Sequence, residues 1–155
     1  MRETIVWLHN VRSAHNVGSI FRTADAAGAG RVLLSGYTPL PVDTLGQAQK
    51  EIAKTALGAE TYVPWEAVAT MNKKIATLKK EGWKIVGVEQ DARAIDYRKF
   101  RTPTKAVLIF GNEVRGLSAQ LRAQCDTLLE IPMHGTKESL NVSVATGIIL
   151  FSLKT

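Results

Sequence analysis

Five short apolar segments, each an almost continuous run rich in Val, Ile or Leu, most constrain how this chain can fold. Strands with this pattern are typical of parallel sheets whose two faces are both buried. The segments are Thr4–Leu8, Arg31–Ser35, Lys84–Val88, Ala106–Phe110 and Leu128–Ile131. Because stretches with helical patterns separate them, the sequence predicts an α/β fold with a mostly parallel sheet flanked by helices.

The predicted helices are bounded by residues that commonly cap helices. Glycines at positions 28, 58 and 82 follow three of them, and Ser118 precedes a fourth. The predicted ranges are Val17–Ala27, Gln47–Leu57, Trp65–Lys80, a short helix from Ser118 to Gln124, and Val142–Leu153. The proline-containing stretch Thr38–Asp43 and the polar stretch Gln90–Thr104 are predicted to be loops.

Length and composition favour a single globular domain with a nucleic-acid partner. The 155 residues suffice for a good core, and the net charge of +6 favours a polyanionic ligand. No apolar run approaches the roughly 20 residues that span a bilayer, and the N-terminal apolar segment is too short for a secretory signal. The single Cys125 excludes an internal disulfide and fits a reducing cytoplasm; we expect a near-core thiol there and not a nucleophile.

The segment 131–144 joins the last predicted strand to the last predicted helix and is a candidate ligand-binding loop. Its backbone groups have few partners of their own, which leaves them free to hold a ligand. Its apolar side chains could frame an adenine-sized pocket, and its polar ones could contact the ligand: Ile131, Met133 and Leu140, with Ser139 and Asn141. The alternative is an ordinary connection in which Asn141 caps the helix and Ile131 and Leu140 belong to the core.

A second candidate segment, 16–22, opens the first predicted helix. Asn16 is placed to cap that helix, and Gly18 permits close approach of a backbone or ligand. Arg22 lies on a helix made otherwise of apolar and small residues, so its guanidinium requires a carboxylate, a phosphate or a substrate as partner. A capping Asn with a structural salt bridge is the alternative interpretation.

A third candidate segment, 110–117, places Glu113 between Gly111 and Gly116 directly after the most apolar strand. Ligands of open α/β sheets bind beyond the carboxyl ends of the strands. The spacing matches neither the dinucleotide nor the phosphate-loop glycine pattern, which disfavours a small-molecule enzyme of Rossmann type. The three histidines and Cys125 lack metal-ligand spacing, so we expect no catalytic metal.

These segments together resemble a known family. The stretches 16–22, 108–117 and 131–145 resemble, in order, the three motifs of the SpoU (TrmH-like) RNA ribose methyltransferases of the SPOUT superfamily, and 55–60 is also similar to a segment of that family. The resemblance implies a SPOUT-type domain with a C-terminal trefoil knot. It also implies S-adenosylmethionine as methyl donor and a homodimer in which each active site is completed by the neighbouring chain.

Site residues follow from the resemblance position by position. The cofactor would be held around Gly111, Ile131, Met133 and Leu140. The catalytic group would be Asn16, Arg22, Glu113, Ser139 and Asn141. The expected function is methylation of a ribose 2′-hydroxyl in RNA, with tRNA favoured over rRNA because a minimal dimer can grip a compact RNA. A non-catalytic RNA-binding dimer is the alternative, which the intact catalytic group disfavours.

Relatives often carry an additional RNA-binding domain, whereas residues 1–155 are expected to form a single methyltransferase domain without one. The arginines near the motifs are then the expected RNA contacts: Arg12, Arg115 and Arg122.

Overall fold

The structure, a computed structural model, describes residues 1–153, which form a seven-stranded sheet in the order β3-β2-β1-β6-β4-β7-β5. Every neighbouring pair of strands is parallel. The strands are β1 (Glu3–His9), β2 (Arg31–Ser35), β3 (Trp65–Val68), β4 (Lys84–Val88), β5 (Ile95–Asp96), β6 (Lys105–Phe110) and β7 (Thr127–Glu130). The predicted α/β class with a parallel sheet is confirmed.

The helices and a single 3₁₀ turn connect these strands. They are α1 (Ala14–Ala27), α2 (Lys50–Ala56), α3 (Ala59–Tyr62), α4 (Met71–Lys80), the 3₁₀ turn Tyr97–Lys99, α5 (Ala119–Gln124) and α6 (Val142–Ser152). The predicted caps Gly28, Ser118 and Asn141 are confirmed: Gly28 ends α1 in the left-handed conformation, and the two side chains accept hydrogen bonds at the starts of α5 and α6.

The sheet is buried on both faces, as its apolar strands require. On one face Val6 and Leu108 pack with residues of α1, α2 and α6. On the other face Trp7 and Ile109 pack with residues of α4 and α5. Successive strand residues point to opposite faces, so continuous apolar strands supply both layers at once.

The predicted helix Trp65–Lys80 is wrong in its first third. Residues Trp65–Val68 form the edge strand β3, paired with Val32–Ser35 of β2, and α4 begins only at Met71. The free edge of β2 offers a row of unpaired backbone groups, and pairing with it satisfies both segments. Long-range pairing therefore overrides the local helical pattern.

A second strand was also missed, within the predicted loop Gln90–Thr104. Ile95 and Asp96 pair with Leu129 and Glu130 and complete the opposite edge of the sheet as β5. Two residues carry too little pattern to be recognised in the sequence.

The starts of α1 and α2 differ from the prediction. Helix α1 begins at Ala14, because Ser13 caps it by accepting a hydrogen bond from the backbone N–H of Asn16. Asn16 is therefore inside the first turn and is not the cap. Helix α2 begins at Lys50, and Leu57 ends it with φ of 53°.

Neither a membrane-spanning helix nor a metal-binding cluster is found among the described residues. Over residues 1–153 there is no helix long and apolar enough to cross a membrane. The same residues contain no group of three or more His, Cys, Asp or Glu side chains arranged to hold a metal ion. Cys125 is half-buried against the core, and burial raises the pKa of its thiol to about 11, which makes it a poor nucleophile.

Candidate functional site

A cleft opens at the carboxyl ends of the three neighbouring strands β6, β4 and β7. Three loops line it: residues 89–90 after β4, the glycine-rich loop 111–117 after β6, and the loop 131–141 after β7. The predicted cofactor residues all lie on this cleft, together with two of the predicted catalytic residues. They are Gly111, Ile131, Met133 and Leu140, with Glu113 and Ser139.

The glycine-rich loop is tightly folded. The N–H of Gly116 donates to the carbonyl of Asn112 over 2.8 Å, and Gly116 has φ of 65°. A Cβ placed on Gly111 would lie 2.6 Å from the backbone of Gly116. Only glycine fits position 111, and this lets the backbone form a smooth wall of the cleft.

Glu89, which the sequence analysis did not single out, anchors the far end of this loop. Its carboxylate accepts hydrogen bonds from the backbone N–H of Leu117 at 2.7 Å and of Gln90 at 2.9 Å. The nearby side-chain amide of Gln90 donates to the carbonyl of Glu138 over 2.7 Å. The three loops around the cleft are therefore linked to one another by hydrogen bonds.

Glu113 connects the glycine-rich loop to the start of α1. Its two carboxylate oxygens accept hydrogen bonds from the backbone N–H groups of Arg12, at 2.9 Å, and Ser13, at 3.1 Å. The negative charge also lies at the positive end of the helix dipole. Glu113 thus holds the segment that leads to Asn16 through the backbone and not through the Asn16 side chain.

Asn16 and Asn141 meet although they are 125 positions apart in the chain. The Asn141 amide donates to the Asn16 side-chain oxygen over 3.2 Å, while the Asn141 oxygen caps α6 by accepting from the Ser143 N–H at 2.9 Å. Asn16 is buried and Asn141 is exposed. This pair ties the first turn of α1 to the end of the loop that lines the cleft.

Asn112 is a second residue that the sequence analysis missed. Its amide donates to the Asn10 carbonyl at 3.2 Å and to the Tyr37 hydroxyl at 2.9 Å, and its oxygen accepts from the Arg115 N–H at 2.8 Å. It therefore joins the cleft to the turns that follow β1 and β2. Its position inside the recognised motif, beside Glu113, was the only signal available in the sequence.

Arg22 lies away from the cleft. It is exposed on α1 and borders a shallow depression with Ser19, Thr23, Ala26, Thr55 and Phe151. Within residues 1–153 its guanidinium has no hydrogen-bond or ion-pair partner, although the sequence predicted that it requires one. A single chain thus leaves the predicted catalytic group divided: Glu113 and Ser139 line the cleft, Asn16 and Asn141 lie behind it, and Arg22 is elsewhere.

The three arginines expected to contact RNA differ from one another in exposure and in ion pairing. Arg12 and Arg115 are exposed, and neither guanidinium has an ion-pair partner within the described part of the chain. Arg122 is only partly exposed, and its guanidinium lies 3.2 Å from the Asp91 carboxylate. Hydrogen bonds from Arg93 are the main cause that lowers the pKa of the Asp91 carboxyl, and the charge of Arg122 adds to it. Arg122 is engaged within the protein, and the expectation that it contacts RNA is not supported.

The sequence matches the SpoU rRNA Methylase family over residues 3–151. It is similar to a putative TrmH family tRNA/rRNA methyltransferase of Staphylococcus haemolyticus, with 34% identity over 97% of this chain and 57% of the relative. It is also similar to the 23S rRNA (guanosine-2'-O-)-methyltransferase RlmB of Pseudomonas putida, with 37% identity over 95% of this chain and 56% of that protein. The chain therefore spans just over half the length of these relatives.

Two solved structures share the fold. An AdoMet-bound rRNA methyltransferase from Sinorhizobium meliloti superposes with a TM-score of 0.88 at 35% identity, covering 98% of this chain and 56% of that chain. A TrmH/SpoU tRNA modifying enzyme from A. aeolicus superposes with a TM-score of 0.85 at 30% identity, covering 99% of this chain and 74% of that chain. Since the family match extends over nearly the whole sequence, this protein belongs to the SpoU rRNA methylase family.

Proposed function

We propose that this protein transfers a methyl group from S-adenosylmethionine to a ribose 2′-hydroxyl of RNA. The observation that carries the proposal is the cleft at the ends of β4, β6 and β7, where two of the three recognised motifs meet around Gly111 and Leu140. Support comes from the P. putida relative, whose name specifies 2′-O-methylation, and from the S. meliloti structure, which is AdoMet-bound.

The residues around the cleft fit a nucleoside cofactor. The smooth backbone at Gly111 allows a flat group to approach closely, and Ile131, Met133 and Leu140 supply the apolar surface that an adenine ring requires. Ser139 is exposed at the same cleft and can donate or accept a hydrogen bond. S-adenosylmethionine would supply a methyl group bound to a positively charged sulfur. The ribose oxygen would bond to the methyl carbon from the side opposite the sulfur, and the sulfur would leave as a neutral thioether.

The chain's own residues align the hydroxyl and assist loss of its proton. An arginine guanidinium keeps its proton at neutral pH, so Arg22 is a poor general base. Its proposed role is to hold an RNA phosphate beside the 2′-hydroxyl and to stabilise the negative charge that develops on that oxygen. The proton then passes through that phosphate to solvent water. The Asn16–Asn141 pair and Glu113 keep α1 and the loops in register with the cleft.

A homodimer brings the parts of this group together. Arg22 is remote from its own cleft and lies beside Phe151 of α6, a residue that is 53% exposed. If two copies associate through the exposed faces of α1 and α6, Arg22 of one copy can reach the cleft of the other. The proposed enzyme therefore needs two chains for each reaction.

The proposal includes two finer features. The C-terminal segment is proposed to form a trefoil knot, consistent with the packing of the Tyr97–Lys99 turn against α6. The test is an experimental structure in which the two chain ends are joined into a closed curve and the knot type of that curve is calculated. Transfer RNA is proposed as the preferred substrate, because a minimal dimer would grip a compact folded RNA.

The test is transfer of labelled methyl from S-adenosylmethionine to unmodified tRNA and, in parallel, to rRNA. A 2′-O-methyl group blocks alkaline cleavage of its own linkage, so the label should remain in alkali-resistant dinucleotides. Arg22→Ala should lose transfer and keep cofactor binding by calorimetry. The matched control is Arg101→Ala, which removes an exposed arginine from the loop that precedes β6, at the opposite end of the strands.

Four outcomes separate the possibilities. Label in tRNA above rRNA supports the whole proposal, whereas label in rRNA alone overturns the substrate preference. Absence of label from both RNAs, with cofactor still bound, contradicts the reaction and favours a non-catalytic RNA binder. An equal loss of transfer and cofactor binding in Arg22→Ala would assign Arg22 a structural role.

A further inference from the structure

Tyr37 is an exposed aromatic residue held rigidly beside the candidate site. It lies in the turn after β2, at the same carboxyl end of the parallel strands as the cleft, and the residue is 57% exposed. Its hydroxyl accepts a hydrogen bond from the Asn112 amide at 2.9 Å, and its backbone N–H donates to the Asn10 side chain at 3.1 Å. The ring is thus fixed at both ends while much of its surface faces solvent.

The backbone beneath Tyr37 is specialised for this placement. Gly36 has φ of 65°, and a Cβ there would lie 1.8 Å from the Asn10 side-chain oxygen. Asn10 itself has φ of 58°, a left-handed conformation that is uncommon outside glycine. On the other side, the buried Thr38 hydroxyl accepts from the Val11 N–H at 3.1 Å. Two residues with positive φ and several side-chain bonds therefore maintain an exposed ring that contributes little to the core.

The surroundings of the ring suit RNA. Arg12 follows Asn10 by two positions, and Arg115 donates its backbone N–H to Asn112, the residue that holds the Tyr37 hydroxyl. Both guanidiniums are exposed and have no ion-pair partner among residues 1–153, so they are available to phosphates. Asn112 also lines the cleft, which makes the ring continuous with the candidate site.

We propose that Tyr37 is a stacking platform for a base of the RNA substrate, adjacent to the nucleotide whose ribose enters the cleft. Stacking on an aromatic ring is the general way in which unpaired bases are held, and a tyrosine with both ends fixed loses little entropy when a base binds. This inference rests on the proposed function, because it assigns part of the RNA surface of the same site.

The experiment compares binding of two fluorescein-labelled probes by anisotropy: the heptaribonucleotide A7 and an abasic seven-unit ribose-phosphate chain. Both carry the same phosphates, so only base stacking distinguishes them. The wild-type protein should bind A7 more tightly. Tyr37→Ala should weaken A7 binding by about 5- to 100-fold and abolish the preference. Tyr37→Phe keeps the ring and should retain most of the preference for A7.

The matched control is Tyr62→Ala. Tyr62 is similarly exposed, at 62%, and its hydroxyl donates to the Asp25 carboxylate, but it precedes β3 and so lies at the opposite, amino end of the strands. The Tyr62→Ala substitution should leave the binding of both probes unchanged. Thermal melting and cofactor affinity of Tyr37→Ala should also match the wild type, which excludes a general loss of structure.

The outcomes keep this inference separate from the proposed function. If wild-type protein methylates RNA but Tyr37→Ala has an unchanged KM for RNA and an unchanged probe preference, the stacking platform is wrong and the function stands. If the probe preference depends on Tyr37 but no methyl is transferred, the platform stands and the reaction is wrong. Equal binding of A7 and abasic chain by the wild type, or loss of dimerisation in Tyr37→Ala by sedimentation, would overturn the inference.

Discussion

At the scale of single residues, the candidate site depends on side chains that bind distant backbone. Glu113 accepts from the N–H groups of Arg12 and Ser13, and Glu89 accepts from those of Gln90 and Leu117. Bonds from backbone N–H groups to a carboxylate are about twice as strong as those between neutral groups. Two carboxylates therefore hold the glycine-rich loop: Glu113, within the loop, binds the start of α1, and Glu89, directly after β4, binds the end of the loop at Leu117.

Gly111 gives a direct test of the proposed cofactor site in the cleft. In Gly111→Ala the new methyl group would meet the Gly116 backbone at 2.6 Å, and the loop must move to admit it. Because the displaced loop forms a wall of the cleft and such overpacking typically costs about 1–3 kcal/mol, cofactor affinity should fall by roughly 5- to 150-fold. Calorimetric titration with S-adenosylmethionine measures this. Gly135→Ala is the matched control, since no atom lies within 4 Å of its added Cβ; equal affinities in the two variants would contradict the assignment.

At the scale of elements, close packing of α1 against α2 positions Asn16. Gly18 is the point of closest approach: a Cβ there would lie 2.0 Å from the Thr55 hydroxyl oxygen and 2.3 Å from the Ile52 carbonyl. The Thr55 hydroxyl also donates to the His15 carbonyl over 2.9 Å. The two helices are therefore in contact at Gly18, and any larger residue at position 18 would push them apart.

Gly18→Ala should therefore destabilise the fold by about 1–3 kcal/mol, even though alanine favours a helix more than glycine does. Gly147→Ala makes the same exchange inside α6, where the nearest atom to the added Cβ is the Thr23 methyl carbon at 3.6 Å, an ordinary contact. It should be neutral or stabilise by up to about 1 kcal/mol. Urea denaturation compares the two; similar destabilisation by both would show that the helix contact is not what matters at Gly18.

The ends of β1 and β2 form another contact between elements. The Ser35 hydroxyl accepts from the Trp7 indole N–H at 2.8 Å and lies 2.8 Å from Nδ1 of His9. Partial burial lowers the pKa of His9 below its ordinary value of 6.5, which favours the neutral ring as hydrogen-bond acceptor. These bonds keep the two strand ends together beneath the turns that carry Asn10 and Tyr37.

At the scale of the whole molecule, the proposed dimer makes a prediction that a single chain cannot satisfy. Gly111→Ala weakens cofactor binding and Arg22→Ala removes the guanidinium, so at a cofactor concentration well below the Kd of Gly111→Ala each variant alone should transfer little methyl. A mixed dimer has one site with an intact cleft and the intact Arg22 of the other copy. Random mixing of the two variants should therefore restore about one quarter of wild-type transfer in a symmetric dimer. Methyl transfer after unfolding and refolding the mixture measures it.

Separately refolded variants, combined without exchange, are the control and should stay inactive. If mixing restores nothing although mixed dimers form, Arg22 acts on the cleft of its own chain. The arrangement of the two helices in a single chain would then have to change for Arg22 to reach the cofactor.

The parts of the fold and site that could be read from the sequence have local causes. The apolar runs at Lys84–Val88 and Ala106–Phe110 predict central parallel strands because strands buried on both faces are apolar at nearly every position. Ser118 and Asn141 cap helices through bonds to residues two or three positions away. The motif residues Gly111, Ile131, Met133 and Leu140 were predicted as one group, and the structure places them around one cleft.

Other features were decided only by the tertiary structure, because their causes are contacts between distant segments. Trp65–Val68 is a strand because the edge of β2 pairs with it. The Asn16 amide meets Asn141 only after α1 and α6 have packed together. Most clearly, the sequence by itself determined that Arg22 belongs to a recognised motif. The fold decided that Arg22 lies away from its own cleft, because the packing of α1 with α2 and α6 places it beside Thr55 and Phe151.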